Sequence, residues 1–227
     1  MARKKTKKTA KGTTSVAPMA ETTTIALPGG VKFEMVRIPG KDYWMGKFEV
    51  TQAQWMVVTG ENPSMFSFGR STENNPVEEV SWEECQAFLE TLNAQPAAKA
   101  SGLVFRLPTE EEWEFAARAG AKGDYCKLAD GTEITEETLG EVAWSDEYAS
   151  VTTYPVGRKK PNAFGLYDMF GNVLEWTATA HGDERLACGG SWLLSARSTL
   201  SCCRFGFSLS SRLEDLGFRL CADRRAD

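Results

Sequence analysis

The chain holds one histidine, His181, and none of its six cysteines (Cys85, Cys126, Cys188, Cys202, Cys203, Cys221) forms a Cys-x-x-Cys pair. That spacing excludes the common zinc sites. No apolar run nears the roughly 18 residues that a membrane-spanning helix needs. The basic start is not followed by the apolar stretch of a secretory leader, which predicts a cytoplasmic protein with mostly reduced thiols. Sustained periodicity is missing after Gly120. Turn signals replace it, among them Gly123-Asp124, Asp130-Gly131, Gly171-Asn172 and Gly189-Gly190. Neither an internal repeat nor a linker after residue 30 is visible.

The 227 residues suffice for one domain with a good core, and the seven tryptophans favour a packed body. The net charge of −5 is unevenly placed. Arg3, Lys4, Lys5, Lys7, Lys8 and Lys11 stand near the start with no acid among them. The body is therefore acidic, a poor composition for binding nucleic acid. Residues 1–24 read as a disordered basic tail. Two roles stay open for it: a solvated extension, or an arm that contacts an anionic partner. Residues 25–227 read as the single domain.

Local signals are clearest between residues 31 and 120. Partial alternation over 31–38 predicts a strand, and 43–45 a returning arm. Thr51 predicts a cap for a helix that ends near Gly60, with Trp55 and Val58 inward. Ser81 and Glu84 form a capping box, followed by an apolar face of Cys85, Phe88, Leu89 and Leu92. Thr109 and Glu112 form a second box, with Trp113, Ala116 and Ala117 inward and Gly120 as the terminal cap. Capping and the helix dipole account for these acids without catalysis. Short strands are predicted over 152–156, 186–192, 203–207 and 216–221. So much irregular chain needs buried Trp, buried Arg or a bound cation to hold its loops.

Four segments in order carry a resemblance: GKFEVTQAQW (46–55), NPVEEVSWEECQAFLETLN (75–93), FRLPTEEEWEFAARAG (105–120) and NAFGLYDMFGNVLEWT (162–177), closed by GGSW (189–192) and LGFRLC (216–221). Over about residues 30–222 the chain resembles the sulfatase-modifying-factor family, which includes the formylglycine-generating enzymes. The resemblance implies an α+β, C-type-lectin-like fold with little regular secondary structure. The enzymes bind copper through two cysteines five positions apart after the GG-S-aromatic motif, and soft thiolates suit Cu(I). Leu194 and Thr199 stand at those positions. Cys202 and Cys203 are adjacent and would point to opposite faces of a strand. No copper is therefore expected, and catalysis is not. The related iron-dependent sulfoxide synthases need several histidines, and His181 alone reads as an exposed loop residue.

By the same resemblance, Asp168 and Glu175 would give carboxylate oxygens, and Gly171 and Val173 their carbonyls, to one structural calcium. The plain alternative is that these acids satisfy backbone N–H groups or a buried arginine. The family's other calcium loop looks shortened around 144–153, so no second ion is implied.

The C-terminal stretch alternates anchors (Trp192, Ala196-Arg197, Arg204, Arg212, Gly217-Phe218-Arg219) with aperiodic blocks. The arginines suit donation to loop carbonyls. This layout resembles the variable region of proteins diversified by retroelements, which share the fold. Diversification at template adenines can yield most block residues but not Glu214. The surface so implied is Leu193, Leu194, Ser195, Ser198, Thr199, Ser201, Phe205, Phe207, Ser210, Leu213 and Asp215. Phe205, Phe207 and Leu193 would anchor a protein or other macromolecular ligand. No lectin-type sugar motif is present. The alternatives are a formylglycine-generating-type oxidase and an accessory domain with one fixed partner.

Overall fold

The computed structural model describes residues 20–226 apart from 69, 70, 148 and 150. All six basic residues of the N-terminal arm lie outside that range. In chain order the elements are β1 (Thr22–Ala26), β2 (Lys32–Arg37), β3 (Tyr43–Gly46), α1 (Gln52–Thr59), α2 (Trp82–Ala94), α3 (Pro96–Ala100), β4 (Leu103–Arg106), α4 (Glu110–Arg118), β5 (Ala143–Trp144), β6 (Phe170–Gly171), β7 (Leu174–His181), β8 (Glu184–Cys188), β9 (Phe205–Ser208), β10 (Leu216–Gly217) and β11 (Cys221–Arg224).

β1 corrects the tail boundary. Thr22, Thr23 and Thr24 pair with Val36, Met35 and Glu34 of β2. Low apolar content suggested disorder there, but threonine is β-branched and suits an edge strand with only Ile25 buried.

Strand order in the first sheet is β1-β2-β3-β11-β4. β11, close to the C-terminus, sits between β3 and β4, so the two ends of the domain close one sheet. Its strands alternate between two cores. Phe33, Met35, Trp44 and Ala222 face α1 and α2. Val36, Met45 and Cys221 face α4. In the first core the rings of Trp55 and Phe88 stack at 5.0 Å, and Phe218 meets Phe88 edge-on at 5.4 Å. The second sheet has the order β10-β7-β8-β9, and β5 and β6 form a short parallel pair.

The three predicted helices form, each with its capping box closed: Thr51–Gln54, Ser81–Glu84 and Thr109–Glu112. In α4 the left-handed turn begins at Ala119 (φ 48°) and continues through Gly120 (φ 86°). The strands expected late in the chain shift. Residues 152–156 are irregular, and there the indole of Trp144 stacks on Tyr154 at 4.0 Å. The predicted 186–192 becomes β8, and 203–207 becomes β9. The predicted 216–221 splits into β10 and β11, parted by Phe218–Leu220. His181 is exposed but ends β7 rather than sitting in a loop. Buried Trp and Arg do hold the loops: Trp176 Nε1 donates to Val80 O (2.9 Å), and Arg219 Nη1 to Gly46 O (3.1 Å).

Candidate functional site

The C-terminal segment leaves β8 through Gly189 and Gly190. Both have positive φ, and a Cβ on Gly190 would come within 2.7 Å of Thr199 Cγ2. The chain can cross itself only because no side chain is there. Ser191 Oγ donates to Asp215 Oδ2 at 2.6 Å and ties the start of the segment to its end. Trp192 lies edge-on to Phe66 at 5.6 Å. A 3-10 turn follows at Ala196–Thr199, then a tight turn at 201–202, then β9.

Between these anchors a groove of about 440 Å³ opens. Leu193, Leu194, Phe205, Phe207 and Leu213 line it, with Leu174 of β7 alongside. Phe205 and Phe207 share a face because they are two apart on β9. Phe207 is braced edge-on against Trp176 at 5.9 Å. Leu193 is half exposed, at 50 %. Glu79, Arg212 and Glu214 border the groove. Ser195 and Ser210 are exposed and Ser198 partly so; the hydroxyls of Ser195 and Ser198 stand 3.3 Å apart.

Three residues predicted for this surface are buried instead: Thr199, Ser201 and Asp215. Thr199 Oγ1 donates to Ala196 O at 2.7 Å and closes the 3-10 turn. Ser201 N donates to Asp124 O at 2.8 Å. Asp215 accepts from Ser191, and its carbonyl accepts from Leu174 N at 2.7 Å; burial pushes its carboxyl up. A buried polar group must be bonded, and two of these three side chains are bonded inward. Leu174, Glu79, Glu214 and Arg212 were not predicted to line the site. Nothing local marks Glu79, which reaches the groove because its N–H donates to Leu213 O at 3.0 Å.

The arginines divide into two kinds. Arg204 donates to the carbonyls of Ser201 (2.9 Å) and Cys203 (3.0 Å), and pairs with Glu110 (3.0 Å) and Glu114 (2.5 Å) of α4. Arg219 donates to the carbonyls of Gly46 and Tyr167. Both match the expected role as loop clamps. Arg197 and Arg212 do not: they are solvent-facing and pair with Glu136 (3.7 Å) and Glu84 (2.7 Å).

Of the two residues that the resemblance sets at the enzymes' copper positions, Leu194 lines the groove and Thr199 is buried. Cys202 is exposed and Cys203 half-buried. They lie in a turn and the chain after it, not in the strand expected. Cys203 Sγ lies 3.5 Å from Arg197 O.

The segment 168–175 lies deep in the molecule. Glu175 accepts from Arg219 Nε and Nη2 and from Trp113 Nε1, each at 2.6 Å. This is the buried-arginine pairing foreseen as the alternative, and it leaves Glu175 at most one lone pair for a cation. Asp168 accepts from Gly157 N at 2.7 Å through Oδ2, while its buried Oδ1 has no hydrogen-bond partner among the described residues. Burial pushes the Asp168 carboxyl up to about 6. The backbone turns through positive φ at Asp168, Gly171 and Asn172, and a Cβ on Gly171 would lie 1.8 Å from Trp144 O. An unpartnered carboxylate oxygen beside a tightly turned backbone suits a hard cation such as calcium.

Residues 9–224 match the model of the sulfatase-modifying factor enzyme 1-like domain. The chain is 32 % identical to the chaperone protein LppX of Paenibacillus barcinonensis, over 69 % of this chain and 71 % of that protein. It is 35 % identical to the inactive C-alpha-formylglycine-generating enzyme 2 of Bos taurus, over 63 % of this chain and 49 % of the relative. The chain thus spans about half of that longer relative. Among solved structures, Treponema denticola variable protein 1 superposes with a TM-score of 0.73 at 28 % identity, covering 92 % of this chain and all of that one.

Proposed function

The chain belongs to the family of sulfatase-modifying factor enzyme 1-like domains, and from that premise we propose that it is a non-catalytic binding protein. Its α+β, C-type-lectin-like scaffold presents the C-terminal groove to a protein or other macromolecular ligand, and retroelement diversification sets the groove's specificity. One observation carries this reading. Within one aperiodic segment the side chains sort into bonded anchors and an apolar groove, and the groove lies where the enzymes would place a copper ligand. Leucine at that position removes the soft donor and supplies contact surface instead. The names of two similar proteins, an inactive enzyme and a variable protein, point the same way. A single structural calcium at Asp168, Gly171, Val173 and Glu175 belongs to the same proposal, as a brace for the scaffold.

Sequencing the coding region for residues 186–222 from many cells of the source population tests this reading. The expected result is substitution at adenine-bearing codons for Leu193, Leu194, Ser195, Ser198, Phe205, Phe207, Ser210 and Leu213. Trp192, Arg204 and Phe218 stay fixed, and so do the buried Thr199, Ser201 and Asp215. An invariant region overturns diversification. A single fixed partner is then the better reading, and the 32 % identity to a protein named a chaperone favours it.

A further inference from the structure

The loop at 168–175 faces a third buried carboxylate that the family resemblance did not supply. Glu49 follows β3 and is fully buried. Its Oε2 accepts from Asn172 Nδ2 at 2.6 Å, and its Oε1 from Val173 N at 3.2 Å. Asn172 in turn accepts from Tyr154 N at 2.9 Å through Oδ1. Glu49 therefore holds the two residues that lie between the Gly171 and Val173 carbonyls. Asn172 itself has φ 65°, so the side chain that Glu49 grips hangs from a backbone turn that few residues adopt.

Charge points the same way. Glu49, Asp168 and Glu175 are buried within electrostatic reach of one another; Arg219 is the one fully buried cation among the described residues, and the half-buried Lys159 also lies within reach of Asp168. Burying acidic groups together is costly unless cations or hydrogen bonds accompany them. A second observation marks where a cation would sit: Asp168 Oδ1 is buried without a hydrogen-bond partner. The indole N–H of Trp144 lies beside this carboxylate, also without one.

We infer that Glu49 is a positioning residue for a divalent cation at Asp168 and Glu175. It fixes the peptide units of residues 172 and 173, which carry the chain from the Gly171 carbonyl to the Val173 carbonyl. The inference rests on the calcium reading proposed above. The competing account is that these bonds hold the loop for the fold alone, with no cation involved.

The test is calcium titration of the full chain after removal of metal with EGTA, followed by calorimetry and by thermal melting with CaCl2 or with KCl at matched ionic strength. The wild type is expected to bind one calcium and to melt higher with CaCl2 but not with KCl. Glu49→Gln keeps the shape but turns one of the two acceptors into a donor, so one of the two bonds is lost; it is expected to bind calcium at least about tenfold more weakly, as loss of outer-shell support typically does. Near-UV circular dichroism in EGTA checks that this variant folds. If it does not, Asn172→Gly, which keeps the left-handed turn and removes the side chain that Glu49 grips, is expected to weaken calcium several-fold. Unchanged affinity in the folded variant overturns the role of Glu49 and leaves the calcium reading standing. Absence of binding by the wild type overturns both.

Discussion

At Gly171 a single methyl group would meet the carbonyl of Trp144 at 1.8 Å, on a backbone with φ 89°. Neither the carbonyl, which already accepts from Asn172 N, nor the turn can yield cheaply. Gly171→Ala is expected to cost more than about 4 kcal/mol or to abolish folding, read by urea denaturation. Glu78 makes a different residue-scale claim. It is buried, and its carboxylate accepts from Met65 N and Phe66 N, each at 2.9 Å. Burial nevertheless outweighs these bonds and lifts its carboxyl to about 7. A folded-state value above the ordinary one means that the folded protein holds the proton longer than the unfolded chain. The contribution of Glu78 is thus fully present below about pH 4.5 and is lost as pH rises through 7, at no more than about 1.4 kcal/mol per pH unit. Unfolding free energies measured at pH 5 and pH 7.5 are expected to differ less in Glu78→Gln than in the wild type.

On the scale of elements, the groove depends on how β9 and the preceding turn are fastened to α4. Arg204 makes that connection through Glu110, Glu114 and two carbonyls. Arg204→Met keeps much of the volume and loses the charged hydrogen bonds. It is expected to destabilise the fold by roughly 2 kcal/mol. Hydrogen exchange is expected to speed up at residues 201–208 more than in α4, whose own cap at Thr109 and Glu112 is untouched. Equal acceleration in both elements would show that Arg204 does not fasten one to the other. The helices were legible in the sequence for the same reason that α4 survives this change. A capping box spans four residues, and its partners are fixed by the helix itself.

For the whole molecule, the two cores share one sheet, and the second sheet carries the groove along β9. This arrangement is the family's scaffold, and by the family resemblance Leu194 and Thr199 stand where the enzymes bind copper. Incubation of the full chain with Cu(I), oxygen and a cysteine-containing peptide is expected to produce no aldehyde above the protein-free control by mass spectrometry. Aldehyde formed in proportion to protein, and lost in Cys202→Ser or Cys203→Ser, would restore the oxidase reading. The membrane question has a narrower answer: no helix among the described residues is long and apolar enough to cross a bilayer.

The sequence by itself determined the three capped helices, the β2–β3 hairpin and the family, and it pointed to the C-terminal stretch as the candidate surface. Each rests on a short-range signal or on long motifs in order. Only the tertiary structure decided which residues of that surface reach solvent. Thr199, Ser201 and Asp215 sit in a stretch that mixes exposed, half-buried and buried residues with no period, so no local pattern sorts them. Asp124 and Ser191, which take up Ser201 and Asp215, lie 77 and 24 positions away. The same holds for Glu49, whose bonds to Asn172 and Val173 cross 123 and 124 positions. In an aperiodic loop, burial and charge balance are properties of the neighbours that the fold supplies, and those neighbours are distant in the chain.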